Sequence, residues 1–308
     1  MIRYEIIIIT YNQEKTIEDA LYSAIKQTLP PYKISIFDDC STDQTAAKIK
    51  SIIGNETANI EFNRNENNKG IFPNFNQALN KASGDIVCLL AGDDELEINT
   101  LENYDKYIKE NNIDIHQPIW MIPNITEIYP NNKRKQINQH FFNSYSIFEL
   151  ILANKIRSFE LGLTLPAIKQ SLIRTDIGYQ ADNLKSLLLS KKINIQLVNF
   201  FGYKYRTFSG VTTKSKQMVI LNSRLKVLNI LLTDYSSLLS NREIKLVRYE
   251  IATVQYSIEP NIHTYFHMIY TICTIITLPH LVVRPTIFLK QLVPISLKNL
   301  VKSILHNL

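Results

Sequence analysis

The feature that most restricts the fold is an alternation of short apolar runs and helix-spaced segments from Tyr4 to Leu90. "YEIIIITYN" places four isoleucines in a row, the pattern of a strand buried on both faces of a parallel sheet. Behind it, "QEKTIEDALYSAIKQTLPPY" carries Ile17, Leu21 and Ile25 at helical spacing, with Pro30 and Pro31 as its stop. "KISIFDDCSTDQTAAKIKSII" repeats the unit as strand, polar turn and helix. "IEFNRNENNKG" adds a third strand and a polar loop, "IFPNFNQALNKASGD" a helix ending at Gly84, and "IVCLL" a fourth buried run. This order predicts an α/β fold, a doubly wound, mostly parallel sheet with right-handed crossovers and flanking helices. Ligands of such sheets bind beyond the carboxyl ends of the strands. Three polar clusters fall there: Thr10-Tyr11-Asn12, Asp38-Asp39 and Asp93-Asp94.

Composition narrows the class. With 308 residues, 45% hydrophobic and 20% charged, the chain is an ordinary globular protein, with room for one large domain and an appendage or for two domains. Cys40, Cys88 and Cys273 lie far apart without a CxxC pair, which argues against a disulfide framework or a cysteine zinc site. That pattern fits a reducing compartment, and "EIIIIT" is too short for a signal-peptide core, so a cytoplasmic location is expected. The net charge of +6 is uneven: Ser209 to Leu308 holds eleven Lys/Arg against four Asp/Glu, the rest 23 against 24. Nucleic acid is therefore not the expected partner of the N-terminal part. His263 and His267 have helical zinc-pair spacing, but no glutamate follows His263, and the pair reads as packing. Neither a G-x-S-x-G nor a GxxxxGK[ST] sequence occurs.

Paired acids at a strand end suit a hard divalent cation such as Mg²⁺ or Mn²⁺, which can stabilise a phosphate leaving group. Alternatively, Asp94 and Glu95 cap the next helix, where negative charge is favoured. Asp38-Asp39 is read in two ways as well. A carboxylate there can accept hydrogen bonds from a base N–H or ribose hydroxyls, or it can serve an Asx turn. The expectation is that Ser41 to Asp43 make the turn and leave Asp38 and Asp39 free.

Taken together, "IIIITYNQEKTIEDALYSAIKQT", "KISIFDDCSTDQTAAKI" and "NNKGIFPNFNQALNKASGDIVCLLAGDDEL" resemble the nucleotide-binding half of family 2 glycosyltransferases, of GT-A fold. The resemblance covers roughly the first hundred residues in order, spacing and strand-helix context. It implies an inverting enzyme that uses a nucleotide-diphosphate sugar, a UDP-sugar first among them, with Mn²⁺ or Mg²⁺. By this resemblance Thr10, Tyr11 and Asn12 line the nucleotide with Glu14 close by, and Asp39 binds a uracil-type base supported by Asp38. Asn74 and Asn76 fall in a segment facing the donor, and Asp93 and Asp94 hold the metal and diphosphate. Two positions depart from the family pattern: Ala91 stands where many members have aspartate, and Phe75 where many have arginine.

The acceptor half carries the same resemblance. Inverting members use an aspartate at the start of a helix as general base, and "TDIGYQADNLKSLLLSKKI" offers Asp182 there. Its alternative reading is an N-terminal cap of that helix. "GYKYRTFSGVTTK" resembles the segment whose arginine meets the diphosphate, which implies that role for Arg206; Phe208 stands where histidine is common.

The expected organisation is a catalytic domain over 1–214, divided into a donor half at 1–115 and an acceptor half at 116–214. A helical, basic region follows over 215–308. From Asn261 onward no acid occurs, and Arg284, Lys290, Lys298 and Lys302 are spaced among apolar residues. This suits peripheral contact with an anionic membrane, on the inner face of the cell membrane. Helices packed on the catalytic domain are the alternative. The expected acceptor is a glycan or lipid-linked oligosaccharide in bacterial surface polysaccharide synthesis. A catalytically degenerate binding or scaffold subunit is the rival reading, on the strength of Ala91 and Phe75.

Overall fold

The computed structural model describes residues 1–139, 145–156, 161–207 and 217–276. The alternation forms as expected: β1 (Tyr4–Thr10), α1 (Ile17–Ile25), β2 (Lys33–Asp38), α2 (Thr45–Ile53), β3 (Ile60–Arg64), α3 (Ile71–Lys81) and β4 (Ile86–Ala91). These four strands pair in parallel in the order β3-β2-β1-β4. The isoleucines of β1 are buried on both faces of the sheet, apart from the half-buried Ile9. Thr10 pairs with Asp38, and Ile9 with Ala91, so the three polar clusters emerge side by side at one edge.

The helix expected to end at Gly84 stops at Lys81. Glu5, fully buried in β1, accepts the amides of Ser83 at 2.7 Å and Gly84 at 2.8 Å. These amides turn toward the sheet to satisfy a buried carboxylate, which ends the helix early. A side chain at position 84 would also meet the Glu5 backbone nitrogen at 3.0 Å, so only glycine allows the approach.

Beyond β4 come β5 (Glu95–Leu96), α4 (Thr100–Glu110), β6 (Ile119–Ile128), β7 (Arg134–Ile137), α5 (Ile147–Leu152), β8 (Leu163–Thr164), α6 (Leu165–Ile168), α7 (Ala181–Leu189) and β9 (Asn194–Arg206). They extend the same sheet through β8, β6, β9 and β5, with β7 paired to β6. Sequence reading did not find β6, although every residue of it is buried. Pro123 in its centre argues against a strand. The structure accommodates it with register shifts around Asn124, where a Cβ on facing Gly202 would sit 3.1 Å from Pro123 Cβ.

The remaining helices are α8 (Gln217–Asp234), α9 (Asn241–Ile258) and α10 (Ile262–Ile276). Val227, Leu228, Leu231, Val247 and Ile251 join Phe75, Leu150 and Leu184 in one core, so α8 and α9 pack on the preceding α/β part. Polar contacts reinforce the join. Lys191 meets Glu243 at 2.9 Å, Arg242 meets Glu149 at 2.5 Å, and Arg224 donates to the Leu152 carbonyl at 2.7 Å and to Asn183. Among the described residues no helix is long and apolar enough to cross a membrane. Arg284, Lys290, Lys298 and Lys302, like Phe208, lie outside the described residues.

Candidate active site

At the ends of β1 and β2, polar side chains build the loops. Asn12, at a positive φ of 51°, donates its amide to Ser41 Oγ at 2.9 Å and accepts the Thr42 amide at 2.8 Å. Glu14 accepts the Gln44 amide at 3.1 Å, and its own amide donates to Asp43 at 3.1 Å. These reciprocal bonds pin the β1–α1 loop to the β2–α2 loop. Thr10, buried, donates to Gln13 Oε1 at 2.7 Å, while Tyr11 stands exposed beside it.

The expectation that Asp38 and Asp39 stay free is corrected. Asp38 is fully buried; its carboxylate accepts the Ser41 amide and hydroxyl and meets Arg64 Nε at 3.1 Å. Asp39, also buried, accepts the Asn65 side chain at 2.8 Å and the amides of Lys69 at 2.9 Å and Gly70 at 2.8 Å. It thereby folds the asparagine-rich loop over the end of β2. Burial gives the physical reason, because a carboxylate removed from water must be hydrogen-bonded.

Asn74 and Asn76 also hold structure. Asn74 is buried, donates to the Phe37 carbonyl at 3.0 Å and accepts from Asn65 at 3.1 Å. Asn76 exchanges two bonds of 2.8 Å with the backbone of Ile173, docking the chain after α6 onto α3. Phe75 is buried between them, with Lys185 Nζ of α7 4.8 Å above its ring. Packing accounts for Phe75, where the family pattern has a donor-facing arginine.

At the end of β4 the two acids separate in role. Asp94 is buried, accepting the Tyr203 hydroxyl at 2.8 Å and the Arg206 amide at 2.7 Å. Burial, aided by the Asp93 charge, pushes its carboxyl up to about 8. Asp94 is thus a clamp between β4 and β9. The neighbouring Asp93 is half-buried, and no hydrogen bond or ion pair among the described residues engages its carboxylate. The helix-cap alternative for these acids does not hold: Glu95 lies in β5, and the next helix starts at Thr100. Gly92 is required between the acids and Ala91, since a side chain there would meet Thr10 Cβ at 3.0 Å.

Arg206 reaches this edge but is held by acids: Asp19 at 2.7 Å, Glu95 at 2.5 Å, and the Asp93 carbonyl at 3.2 Å. Sequence reading missed Tyr203, Asp19 and Asn65, and read Glu95 only as a helix cap. The signal for Tyr203 was a tyrosine inside an apolar strand, whose hydroxyl needs a buried partner. On the acceptor side, Asp182 lies exposed in the first turn of α7, accepting the Asn183 amide at 2.8 Å. The helix N-cap is Gln180, not Asp182.

Among the described residues no three His, Cys, Asp or Glu side chains gather to hold a metal by protein ligands alone. A divalent cation still fits the donor set. Mg²⁺ and Mn²⁺ accept one or two carboxylates and complete their shell with water and substrate phosphates. Asp93 offers one unengaged carboxylate at the strand end, whereas both oxygens of Asp94 already have partners.

Known proteins share stretches of this sequence and its fold. Over 119 residues the chain is 33% identical to poly(ribitol-phosphate) beta-N-acetylglucosaminyltransferase TarS of Staphylococcus aureus, covering 37% of this chain and 20% of that protein. It is 34% identical over 108 residues to UDP-Glc:alpha-D-GlcNAc-diphosphoundecaprenol beta-1,3-glucosyltransferase WfgD of Escherichia coli, covering 35% and 42%. The chain thus spans less than half the length of these relatives. A crystal structure of S. aureus TarS superposes with a TM-score of 0.63 at 18% identity, over 90% of this chain and 49% of that one. A shorter form, TarS 1-349 in complex with UDP-GlcNAc, gives 0.58 at 18% identity over 87% and 79%. These structures share the GT-A fold expected from the sequence. The model of the family described as "Glycosyl transferase family 2" matches residues 5–168, more than half of the chain, and the protein belongs to that family.

Proposed function

We propose that the protein is an inverting glycosyltransferase that moves a sugar from a nucleotide-diphosphate donor, a UDP-sugar first among them, to an acceptor hydroxyl. The acceptor class is a glycan or lipid-linked oligosaccharide of bacterial surface polysaccharide synthesis. The observation that carries this reading is the Asp93 carboxylate at the end of β4 beside Thr10 and the pinned loops, which no hydrogen bond or ion pair among the described residues engages. The names of the relatives support it, since WfgD is a UDP-Glc transferase to a diphosphoundecaprenol-linked sugar and TarS was crystallised with UDP-GlcNAc.

In this reading Tyr11 presents its ring to the base, and the loop folded by Asp39 closes the nucleotide end of the site. Asp93 would hold Mg²⁺ or Mn²⁺, which when bound neutralises charge on the leaving diphosphate. Asp182 takes the proton of the acceptor hydroxyl. The oxygen then bonds to the anomeric carbon as the carbon–phosphate oxygen bond breaks on the opposite face, inverting the centre. Arg206 acts by holding Asp93 in place through its carbonyl and by anchoring β9, since its guanidinium is already held by Asp19 and Glu95.

The test is a panel of nucleotide-sugars with Mn²⁺ or Mg²⁺, following nucleoside diphosphate release. Turnover should fall by about 10²–10⁴-fold in Asp182→Asn, the usual range for a general base. Turnover undiminished by that change removes Asp182 from the mechanism. Neither release nor donor binding across the panel would favour the scaffold reading instead.

A further inference from the structure

Among the described residues, helix α10 is held on one side. Met268 and Thr271 are buried against the rest of the protein, and the Tyr265 ring lies 5.9 Å from that of Tyr256 on α9. The other side presents His263, Phe266, His267 and Tyr270, all exposed. Their spacing of three, four and seven residues puts them on one stripe of the helix. Phe266 is 61% and Tyr270 67% exposed, and apart from Met1 no large hydrophobic side chain among the described residues is more so. Two such rings one turn apart are not the scattered apolar exposure of an ordinary surface.

We propose that this stripe is a membrane-docking face that seats α10 in the headgroup region of an anionic leaflet. Three observations choose that occupant. First, the charge is complementary: residues 261–308 contain no Asp or Glu, and the chain after α10 adds Arg284, Lys290, Lys298 and Lys302. Nothing on this segment repels an anionic surface, and the basic residues draw it in. Second, the chemistry is that of an interface. Tyrosine and histidine pair an apolar body with a polar tip, and phenylalanine supplies the inserting group. Third, four side chains cover far less than the roughly 800 Å² per partner of a stable protein–protein interface. A second copy is therefore a poor occupant of this stripe.

The position suits the reaction. Helix α10 packs on α9, α9 on α8, and α8 on α7, the helix that bears Asp182. A docked α10 is thus joined by one stack of helices to the acceptor side of the site. The inference rests on the lipid-linked acceptor class argued above, but its test separates the two.

The experiment is co-sedimentation of the full chain with vesicles of phosphatidylcholine alone and of phosphatidylcholine doped with phosphatidylglycerol. The wild type should bind the doped vesicles in preference. The double variant Phe266→Ser/Tyr270→Ser should lose about tenfold in partition, as expected when buried aromatic area is removed from an interfacial helix. Because both side chains are exposed, its thermal melt and UDP binding should match the wild type. Failure of the wild type to bind, or equal binding by the double variant, overturns the proposal. So does a concentration-dependent dimer in sedimentation velocity that the variant abolishes, which would make a second copy the occupant. Nucleotide release from donor sugar, measured on the same preparations, keeps the readings apart. Release without vesicle binding removes the docking face alone; vesicle binding without release removes the catalytic reading alone.

Discussion

The acids at the ends of β1 and β2, like Asp94 after β4, are tied into the protein, whereas Asp93 beside Asp94 is not. At β1 and β2, Asp38, Asp39, Asn12 and Glu14 each bond the backbone or side chains of a neighbouring loop. After β4, the Asp93 carboxylate has no hydrogen-bond or ion-pair partner among the described residues, and on α7 Asp182 lies exposed in the first turn. A buried polar group that loses its partners carries a desolvation cost, so the first group is tied to stability. Asp93, whose carboxylate no hydrogen bond or ion pair among the described residues engages, contributes little to the fold through its side chain. The acids at β1 and β2 thus hold the loops together, while Asp93 stands outside that bonding.

The most severe test of that division is Asp93→Ala. Nucleoside diphosphate release should fall by about 10³-fold, while the melting temperature stays within the small range of ordinary surface substitutions. A large drop in melting temperature would place Asp93 with the structural acids and erase the contrast. Asp39→Ala should show the converse. It strands the Asn65 side chain and two amides, a loss of about 2–4 kcal/mol in urea denaturation. Next in size is Tyr203→Phe, which takes one donor from buried Asp94 and should cost about 1–2 kcal/mol. Unchanged stability there would mean that the Arg206 amide alone holds the clamp.

Much of this edge was legible in the sequence, and the limits have physical causes. Runs such as "IIIIT" and "IVCLL" can only be buried strands once helices follow them at 3.6-residue spacing, so the first half of the sheet could be read directly. The neighbouring Thr10, Asp38 and Asp93 followed from that register. What could not be read was which acid has a partner. Asp93 and Asp94 are adjacent and chemically identical in sequence, and they differ only because Tyr203 and the Arg206 amide arrive from β9, more than a hundred residues later. The same holds for Asn76, whose partner Ile173 is distant in sequence. Strand β6 was hidden by Pro123, whose missing N–H is tolerated only because the register shifts beside it.

The subtlest prediction concerns Asp94 itself. Its carboxyl lies near 8 in the folded protein against an ordinary 3.8, so between those values the folded chain holds a proton that the unfolded chain has released. Stability from this group is therefore greatest at low pH in that window and declines as pH rises toward about 8. Asp94→Asn cannot ionise, yet it keeps an oxygen for the Arg206 amide. In EDTA, which removes divalent cations, wild-type urea midpoints should fall between pH 5 and 8, and the variant should show a shallower fall. Equal slopes would mean that Asp94 is ionised throughout, with the Tyr203 hydroxyl and the Arg206 amide sufficient to hold its charge. In that case the clamp would be an anion held beside a second anion, and Asp93 would owe part of its readiness for a cation to its neighbour's charge.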